Sequence, residues 1–178
     1  MSTCFFVESA GRARFGAKWR VVTQAEVARL RANLQDEIDS SSLYARLAEH
    51  ERDPRLAEVY RRMAAIERRH AEFWMEKLRA AGAEVGSLEP GWRSRTLAWL
   101  GTRLGTHLVV PTLEGMERAA KGRYDVEPDA LGAGMAREER SHARVLRAIA
   151  AGTGGIQGPT VARMEGRHRG MAGNALRA

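Results

Sequence analysis

The sequence of 178 residues lacks features that several protein classes need. It holds one cysteine, Cys4, which excludes a disulfide framework and a four-cysteine zinc or iron site. It also holds no stretch of 18 uncharged apolar residues, so no membrane span is predicted. The first residues include a short apolar run but no basic segment before Glu8, which argues against a signal peptide. We therefore expect a cytoplasmic protein.

Aromatic residues make up only 6% of the chain, and β-branched residues are few, whereas Leu, Ala, Arg and Glu are abundant. This composition favours helices. Apolar spacing and capping residues predict four of them, at about 23–51, 54–82, from 94 with a bend at Pro111, and 128–150. The segment 83–93, with Gly86, Pro90 and Gly91, is long enough for a crossover between helix pairs. The sequence thus predicts an all-α four-helix bundle over residues 23–150.

The net charge of +7 is concentrated at the two ends. Residues 1–20 and residues 161–178 each carry a net +3, so we treat residues 1–22 as a basic N-terminal extension and residues 151–178 as a Gly-rich linker with a basic tail. Such segments suit an anionic membrane surface or a nucleic acid. The aromatic interleaving and recognition-helix pattern of nucleic-acid binders are missing, and we therefore expect a membrane surface and no nucleic acid as the partner.

Two Glu-x-x-His units, Glu67 to His70 and Glu139 to His142, are the main chemical motif of the chain. Residues three apart on a helix share a face, so each unit points a carboxylate and an imidazole the same way. Two such helices, with one glutamate from each of two others, form the ligand set of a di-iron or di-manganese bundle. A lone unit would more often be a solvated glutamate beside a partly buried histidine.

The spacing of two further glutamates supports this interpretation. Glu37 lies fourteen residues before the turn at Glu51, and Glu67 lies thirteen after Pro54. Glu114 lies ten residues before Tyr124, and Glu139 lies eleven after Pro128. Antiparallel packing would bring the members of each pair to one level of the bundle. We therefore expect Glu37 and Glu114 to complete the ligand set.

The chemistry explains these residue types. Bridging carboxylates hold two Fe²⁺ or Mn²⁺ ions about 3.5–4 Å apart, and terminal imidazoles leave positions open for oxygen or peroxide. Carboxylate and imidazole donors accept both metals, so the choice of iron or manganese stays open. Tyr44 lies seven residues after Glu37 on the same helical face and is a candidate catalytic side chain, or else a core tyrosine bonded to any available acceptor.

These motifs resemble those of rubrerythrins within the ferritin-like superfamily. The resemblance rests on Asp36-Glu37-Ile38 with Tyr44, Glu67-x-x-His70, Glu114-x-x-Glu117 and Glu139-x-x-His142. It implies that Glu117 is an extra, movable ligand of the iron that His70 serves. The alternative is an exposed Glu117 on a helical glutamate pair. The four-cysteine rubredoxin domain of rubrerythrins is missing, so a self-contained peroxide reductase is not implied.

A second resemblance covers residues 53–60, 97–100, 138–146 and 165–177. These segments are similar to the cytosolic ferritin-like domain fused to transporters of the vacuolar iron transporter family. The resemblance implies a domain that captures Fe²⁺, with ferroxidase activity left open, and that feeds or regulates a tethered membrane transporter. It also implies a homodimer, for which Trp74, Trp92 and Trp99 would offer apolar surface. Two alternatives remain, namely a free-standing peroxide reductase with an external electron donor and a helical adaptor without metal.

Overall fold

The computed structural model describes residues 22–151, and the basic segments at both ends lie outside this range. The described chain is all-α, as the sequence predicts. Its helices are α1 (Gln24–His50), α2 (Pro54–Ala80), α3 (Trp92–Leu104), α4 (Val110–Tyr124), α5 (Pro128–Ala133) and α6 (Met135–Ala150), with a 3₁₀ turn at Thr106–Leu108. No helix within residues 22–151 is both long and apolar enough to cross a membrane.

The first helix pair forms as the sequence predicts. Thr23 caps α1 by accepting a hydrogen bond from the Glu26 amide at 3.1 Å. Asp53 caps α2 by accepting from the Arg55 amide at 2.8 Å, and Pro54 occupies the first turn, where no amide donor is needed. The short turn between the two helices makes α1 and α2 pack antiparallel along their lengths.

The second half differs from the prediction, because glycines with positive φ interrupt both expected helices. The third helix does not bend at Pro111. It ends before Gly105, whose φ is +103° and whose added Cβ would lie 2.7 Å from the His107 ring. Pro111 instead lies in the first turn of α4. The expected fourth helix is split at Gly134, with φ +77°, into α5 and α6. α3 therefore belongs to the crossover and packs against α1, while α4 packs along α6.

Two apolar clusters fill the two ends of the bundle. One contains Leu47, Met63, Leu113 and Leu146, and the other contains Leu34, Trp74, Leu78 and Met135, all of which are buried. On each of α1, α2, α4 and α6, the stretch between the two clusters carries a buried polar side chain. The bundle thus holds one polar layer between two apolar ones.

Candidate metal centre

The polar layer consists of four glutamates and two histidines. None of these residues is more than 4% exposed, and they come from α1 (Glu37), α2 (Glu67 and His70), α4 (Glu117) and α6 (Glu139 and His142). Six of the seven ligands predicted from the sequence therefore lie in one place. Buried charges of this density are unfavourable unless they are paired or coordinate a metal.

The six side chains form two overlapping groups. One group is Glu37, Glu67, His70 and Glu139, and the other is Glu67, Glu117, Glu139 and His142. Within each group the candidate ligand atoms lie within 4.8 Å of one another. Glu67 and Glu139 belong to both groups, whereas each group has its own histidine and its own outer glutamate.

The two shared glutamates each face both histidines. Glu67 places Oε2 3.4 Å from Nδ1 of His70 and Oε1 2.9 Å from Nδ1 of His142. Glu139 places Oε1 3.4 Å from Nδ1 of His70 and Oε2 4.0 Å from Nδ1 of His142. A carboxylate whose two oxygens face two different donor groups is positioned to bridge two metal ions.

Two tyrosines hold the outer glutamates in a crosswise arrangement. The Tyr44 hydroxyl on α1 donates to Oε1 of Glu117 on α4, and the Tyr124 hydroxyl on α4 donates to Oε1 of Glu37 on α1. Tyr44 was a candidate from the sequence, whereas Tyr124 was not. The signal was present, because Tyr124 follows Glu117 by seven residues, just as Tyr44 follows Glu37.

The Nε2 atoms of His70 and His142, which point away from the centre, have different environments. Nε2 of His70 donates to Oε2 of Glu138 at 2.5 Å, and this bond leaves Nδ1 of His70 facing Glu37, Glu67 and Glu139. Nε2 of His142 is buried and has no hydrogen-bond partner among residues 22–151. A carboxylate behind a ligating histidine fixes its tautomer and raises its basicity. Glu138 has this position behind His70, and sequence reasoning missed it.

Glu114, the candidate from the third predicted helix, lies outside the polar layer. Its Oε1 accepts from Nη2 of Arg147 at 2.7 Å, and its Oε2 lies 3.1 Å from Arg118. The inward face of α4 is defined by its buried residues Val110, Leu113, Glu117 and Tyr124. Glu114 lies three residues before Glu117, about 4.5 Å away along the helix axis, so its side chain is not at the level of the polar layer and contacts Arg118 and Arg147 instead.

The split at Gly134 explains why counting residues from the turn selected Glu114. Glu139 lies eleven residues past Pro128, but α6 begins only at Met135. The distance from Pro128 to Glu139 along the bundle axis is therefore shorter than in a continuous helix. Glu139 consequently lies at the level of Glu117 and not at that of Glu114. The resemblance implied that Glu117 serves the same iron as His70. In the structure Oε2 of Glu117 lies 3.5 Å from Nδ1 of His142, so Glu117 groups with His142 instead.

Burial and mutual attraction shift the pKa values of this layer in opposite directions. Burial raises the pKa of Glu37 to about 8 and raises that of Glu139 well above its usual range. Burial also acts to raise the pKa of Glu67, but the attraction of His142 and His70 outweighs it and lowers that pKa.

The histidines and tyrosines of the layer also respond to the glutamates. Burial acts to lower the pKa values of His70 and His142. The bond to Glu138 and the nearby glutamates outweigh burial at His70, the negative charges of Glu67 and Glu117 outweigh it at His142, and both pKa values are raised. Burial, with the negative charge of the bonded glutamate, raises the pKa values of Tyr44 and Tyr124. Protons on the imidazoles and on some carboxyls therefore offset the buried charge, and metal binding must displace them.

The residues of the layer fit a pair of metal ions. Nδ1 of both histidines, Oε1 of Glu67 and Oε1 of Glu139 are buried without a hydrogen-bond partner among the described residues. Such orphaned atoms are costly in a protein interior. They converge on the same space, and carboxylate with imidazole is a donor set that suits iron and manganese. Two cations would satisfy these atoms and compensate the carboxylate charge.

Comparison with known proteins supports the first half of this assignment. The model of the Rubrerythrin family matches residues 29–98, a stretch that contains Glu37, Glu67 and His70. No curated protein and no solved structure matched the chain. Glu117, Glu139 and His142 lie beyond the matched stretch, and only the packing of α4 and α6 brings them to the same centre. Over residues 29–98, this chain therefore resembles the rubrerythrins.

Proposed function

We propose that this chain binds two divalent metal ions in the polar layer and uses the centre to oxidise Fe²⁺. One observation carries the proposal: Glu67 and Glu139 face both histidines, so two four-residue groups share two carboxylates. Iron is the metal we expect first, and manganese is the alternative that the same donors accept. When bound, iron would supply one-electron chemistry toward oxygen or peroxide.

The protein side chains have separate tasks in this proposal. Glu37 and His70 would complete one metal group, and Glu117 and His142 the other. Tyr44 and Tyr124 are positioning residues, because each holds an outer glutamate by a hydrogen bond. Glu138 keeps Nδ1 of His70 turned toward the centre. The centre is buried between two apolar layers, where the local dielectric constant is lower than in water and the attraction between the carboxylates and a cation is stronger.

Anaerobic titration with Fe²⁺, followed by oxygen or hydrogen peroxide, tests the proposal. We expect two Fe²⁺ per chain by equilibrium dialysis and then an absorption change from the ferric product. Oxidation by oxygen favours a ferroxidase, and oxidation by peroxide alone favours a peroxide reductase with an external electron donor. Tight binding without any spectral change would overturn the redox role and leave a metal sensor or chaperone. No binding would overturn the metal assignment and favour the helical adaptor.

We also propose that the centre serves a membrane transporter of iron or manganese. The similarity of residues 53–60 and 138–146 to transporter-fused domains supports this, as does the basic tail, which lies outside the described residues. Reading the gene beyond the codon for Ala178 tests it, because a tethered transporter needs several apolar segments of about 20 residues. A stop codon there would contradict the tether and favour the free-standing enzyme.

We also propose a cytoplasmic location and association as a homodimer, on the basis of the same resemblance to transporter-fused domains. Trp74 cannot contribute to a dimer surface because it is fully buried, whereas Trp92 and Trp99 on α3 are 66% and 57% exposed. Exposed tryptophans are enriched in interfaces between proteins. Light scattering on the purified chain and on a Trp92→Ser, Trp99→Ser variant would measure the association. A monomeric wild-type chain would contradict the dimer.

A further inference from the structure

A cavity of about 500 Å³ lies beside the metal centre, between α1, α3 and α4. Its outer wall includes the exposed residues Arg93, Thr112, Ala119 and Arg123. Its inner wall includes all four buried glutamates of the centre, namely Glu37, Glu67, Glu117 and Glu139. The cavity therefore joins the protein surface to the carboxylates that would bind metal.

The position of this cavity follows from how the helices pack. α1 packs along α2 and α4 packs along α6, so the cavity lies where helices of different pairs face each other. Ser40 on α1 and Ala119 and Ala120 on α4 contribute short side chains to the wall. Native interiors contain few voids larger than a water molecule. A space of this size that reaches buried carboxylates is therefore a candidate binding or entry site.

Charged side chains line the outer part of the cavity. Asp36 and Arg123 form an ion pair between α1 and α4, with side chains 42% and 50% exposed. Asp39 also lines the cavity, but its Oδ1 accepts hydrogen bonds from the Gly91 amide at 2.7 Å and from Gln35 at 2.8 Å. Asp36 therefore offers the accessible negative charge, and Arg123 offsets that charge.

We infer that this cavity is the port through which divalent cations reach the metal centre, with Asp36 attracting the cation and Arg123 opposing it. The inference rests on the proposed metal-binding function. It predicts that neutralising Asp36 slows metal loading and that neutralising Arg123 accelerates it, although the two residues form one ion pair. Loss of the ion pair itself cannot explain opposite signs, because both substitutions break the same pair.

The rate of Co²⁺ loading at low ionic strength tests the port. Co²⁺ accepts carboxylate and imidazole donors, and stopped-flow quenching of tryptophan fluorescence would follow its arrival. We expect Asp36→Asn to slow loading and Arg123→Gln to accelerate it, each by about fourfold for a divalent ion about 10 Å from one charge in water. Both effects should shrink in 0.5 M salt. Arg61→Gln, which removes an exposed arginine on α2 outside the cavity, is the matched control and should leave the rate unchanged.

A substitution that fills the cavity provides a second, independent test of the port. Ala119→Trp places a large ring in the outer wall, and we expect it to slow loading at least tenfold at both low and high salt. Gly122→Trp adds the same ring to an exposed position of α4 outside the cavity and should have no effect. Equilibrium dialysis should give the same final Co²⁺ content for all five variants and the wild type, because none of the substituted residues belongs to the metal centre.

The outcomes separate the port from the proposed function. Wild-type loading to two Co²⁺ per chain, with rates that neither charge substitution nor Ala119→Trp alters, would overturn the port and leave the metal centre standing. Absence of Co²⁺ from the wild-type chain would overturn both. A reduced final content in Asp36→Asn, rather than a reduced rate, would make Asp36 a ligand and would also overturn the port.

Discussion

The two halves of the metal centre can be compared residue by residue. The half around His70 has Glu37 as its outer glutamate, held by Tyr124, and the half around His142 has Glu117, held by Tyr44. Glu37 and Tyr44 on α1 are seven residues apart, as are Glu117 and Tyr124 on α4, and glutamate and histidine are three residues apart on both α2 and α6. The centre therefore has an approximate twofold arrangement built from two helix pairs.

The halves differ behind the histidines. Glu138 accepts from Nε2 of His70, whereas Nε2 of His142 has no hydrogen-bond partner within residues 22–151. A carboxylate partner makes an imidazole a stronger ligand. The ligands are therefore the same in both halves, whereas within the described chain only His70 has a carboxylate behind its ring, and we expect the two metal ions to bind with different affinities.

Removing the shared glutamates should have the largest effect, because both halves depend on them. We expect Glu67→Gln with Glu139→Gln to lower metal content from two ions per chain to none, measured by equilibrium dialysis with Co²⁺. Circular dichroism should remain helical, since two uncharged amides replace buried carboxylates. Glu72→Gln with Glu76→Gln removes two exposed charges from α2 and should leave two ions bound. Retention of both ions by the first variant would refute the bridging assignment.

Removing one outer glutamate should affect one half only. We expect Glu117→Gln to bind one ion tightly and to lose the second, because the His142 half loses its own carboxylate. Glu114→Gln is a close control, since Glu114 lies three residues away on α4 and pairs with Arg147 outside the centre. Stepwise Co²⁺ titration would distinguish the two. If Glu114→Gln lost an ion and Glu117→Gln did not, the assignment of α4 would be reversed.

Removing the support of His70 should have a smaller effect. Loss of a carboxylate behind a ligating histidine typically weakens metal binding 10–100-fold. We therefore expect Glu138→Gln to weaken one of the two Co²⁺ binding steps by about that factor and to leave the other unchanged. Glu72→Gln serves as the control for removal of one charge. Equal weakening of both steps would mean that the two halves are not distinct.

The smallest effect concerns the metal-free protein and its pH dependence. Glu37 has a pKa raised from 4.5 to about 8, so the folded state holds a proton that the unfolded state releases. This group therefore makes the free energy of unfolding decrease as pH rises from about 4.5 to about 8. The histidines, with raised pKa values, act in the same direction. Urea unfolding of the chelator-treated protein at pH 5.5 and pH 8 should show this decrease.

Substitution of Glu37 isolates its share of that decrease. Glu37→Gln keeps the shape of the side chain but cannot titrate, so its free energy of unfolding should depend less on pH than that of the wild type. Loading with metal should reverse the slope, because metal binding requires deprotonated ligands and strengthens as pH rises. A metal-free protein that became more stable between pH 5.5 and pH 8 would contradict the raised pKa of Glu37.

Much of the first helix pair could be predicted because its signals are local. Thr23 and Asp53 cap α1 and α2 by bonds to amides two or three residues away, and Pro54 has its preferred place in a first turn. Such contacts depend on neighbouring residues alone. The two Glu-x-x-His units are local in the same sense, since helix geometry places both side chains of a unit on one face.

The breaks in the second half were harder to predict, because a glycine within a helical pattern is tolerated at some positions and ends the helix at others. Gly105 and Gly134 end helices here, whereas Gly115 and Gly122 lie inside α4. The difference depends on whether the chain must turn at that point to pack against another helix. The local sequence does not contain this information, because it depends on contacts with residues distant along the chain.

The helical class, the caps of the first pair and six side chains of the centre could be predicted from the sequence. Local spacing pointed to Glu37, Glu67, His70, Glu139 and His142, and the resemblance to rubrerythrins pointed to Glu117. Tertiary packing left Glu114 outside the centre, set Glu117 beside His142, and brought in Tyr124 and Glu138. Levels and rotations in a bundle depend on where each helix begins, and the breaks at Gly105 and Gly134 change both.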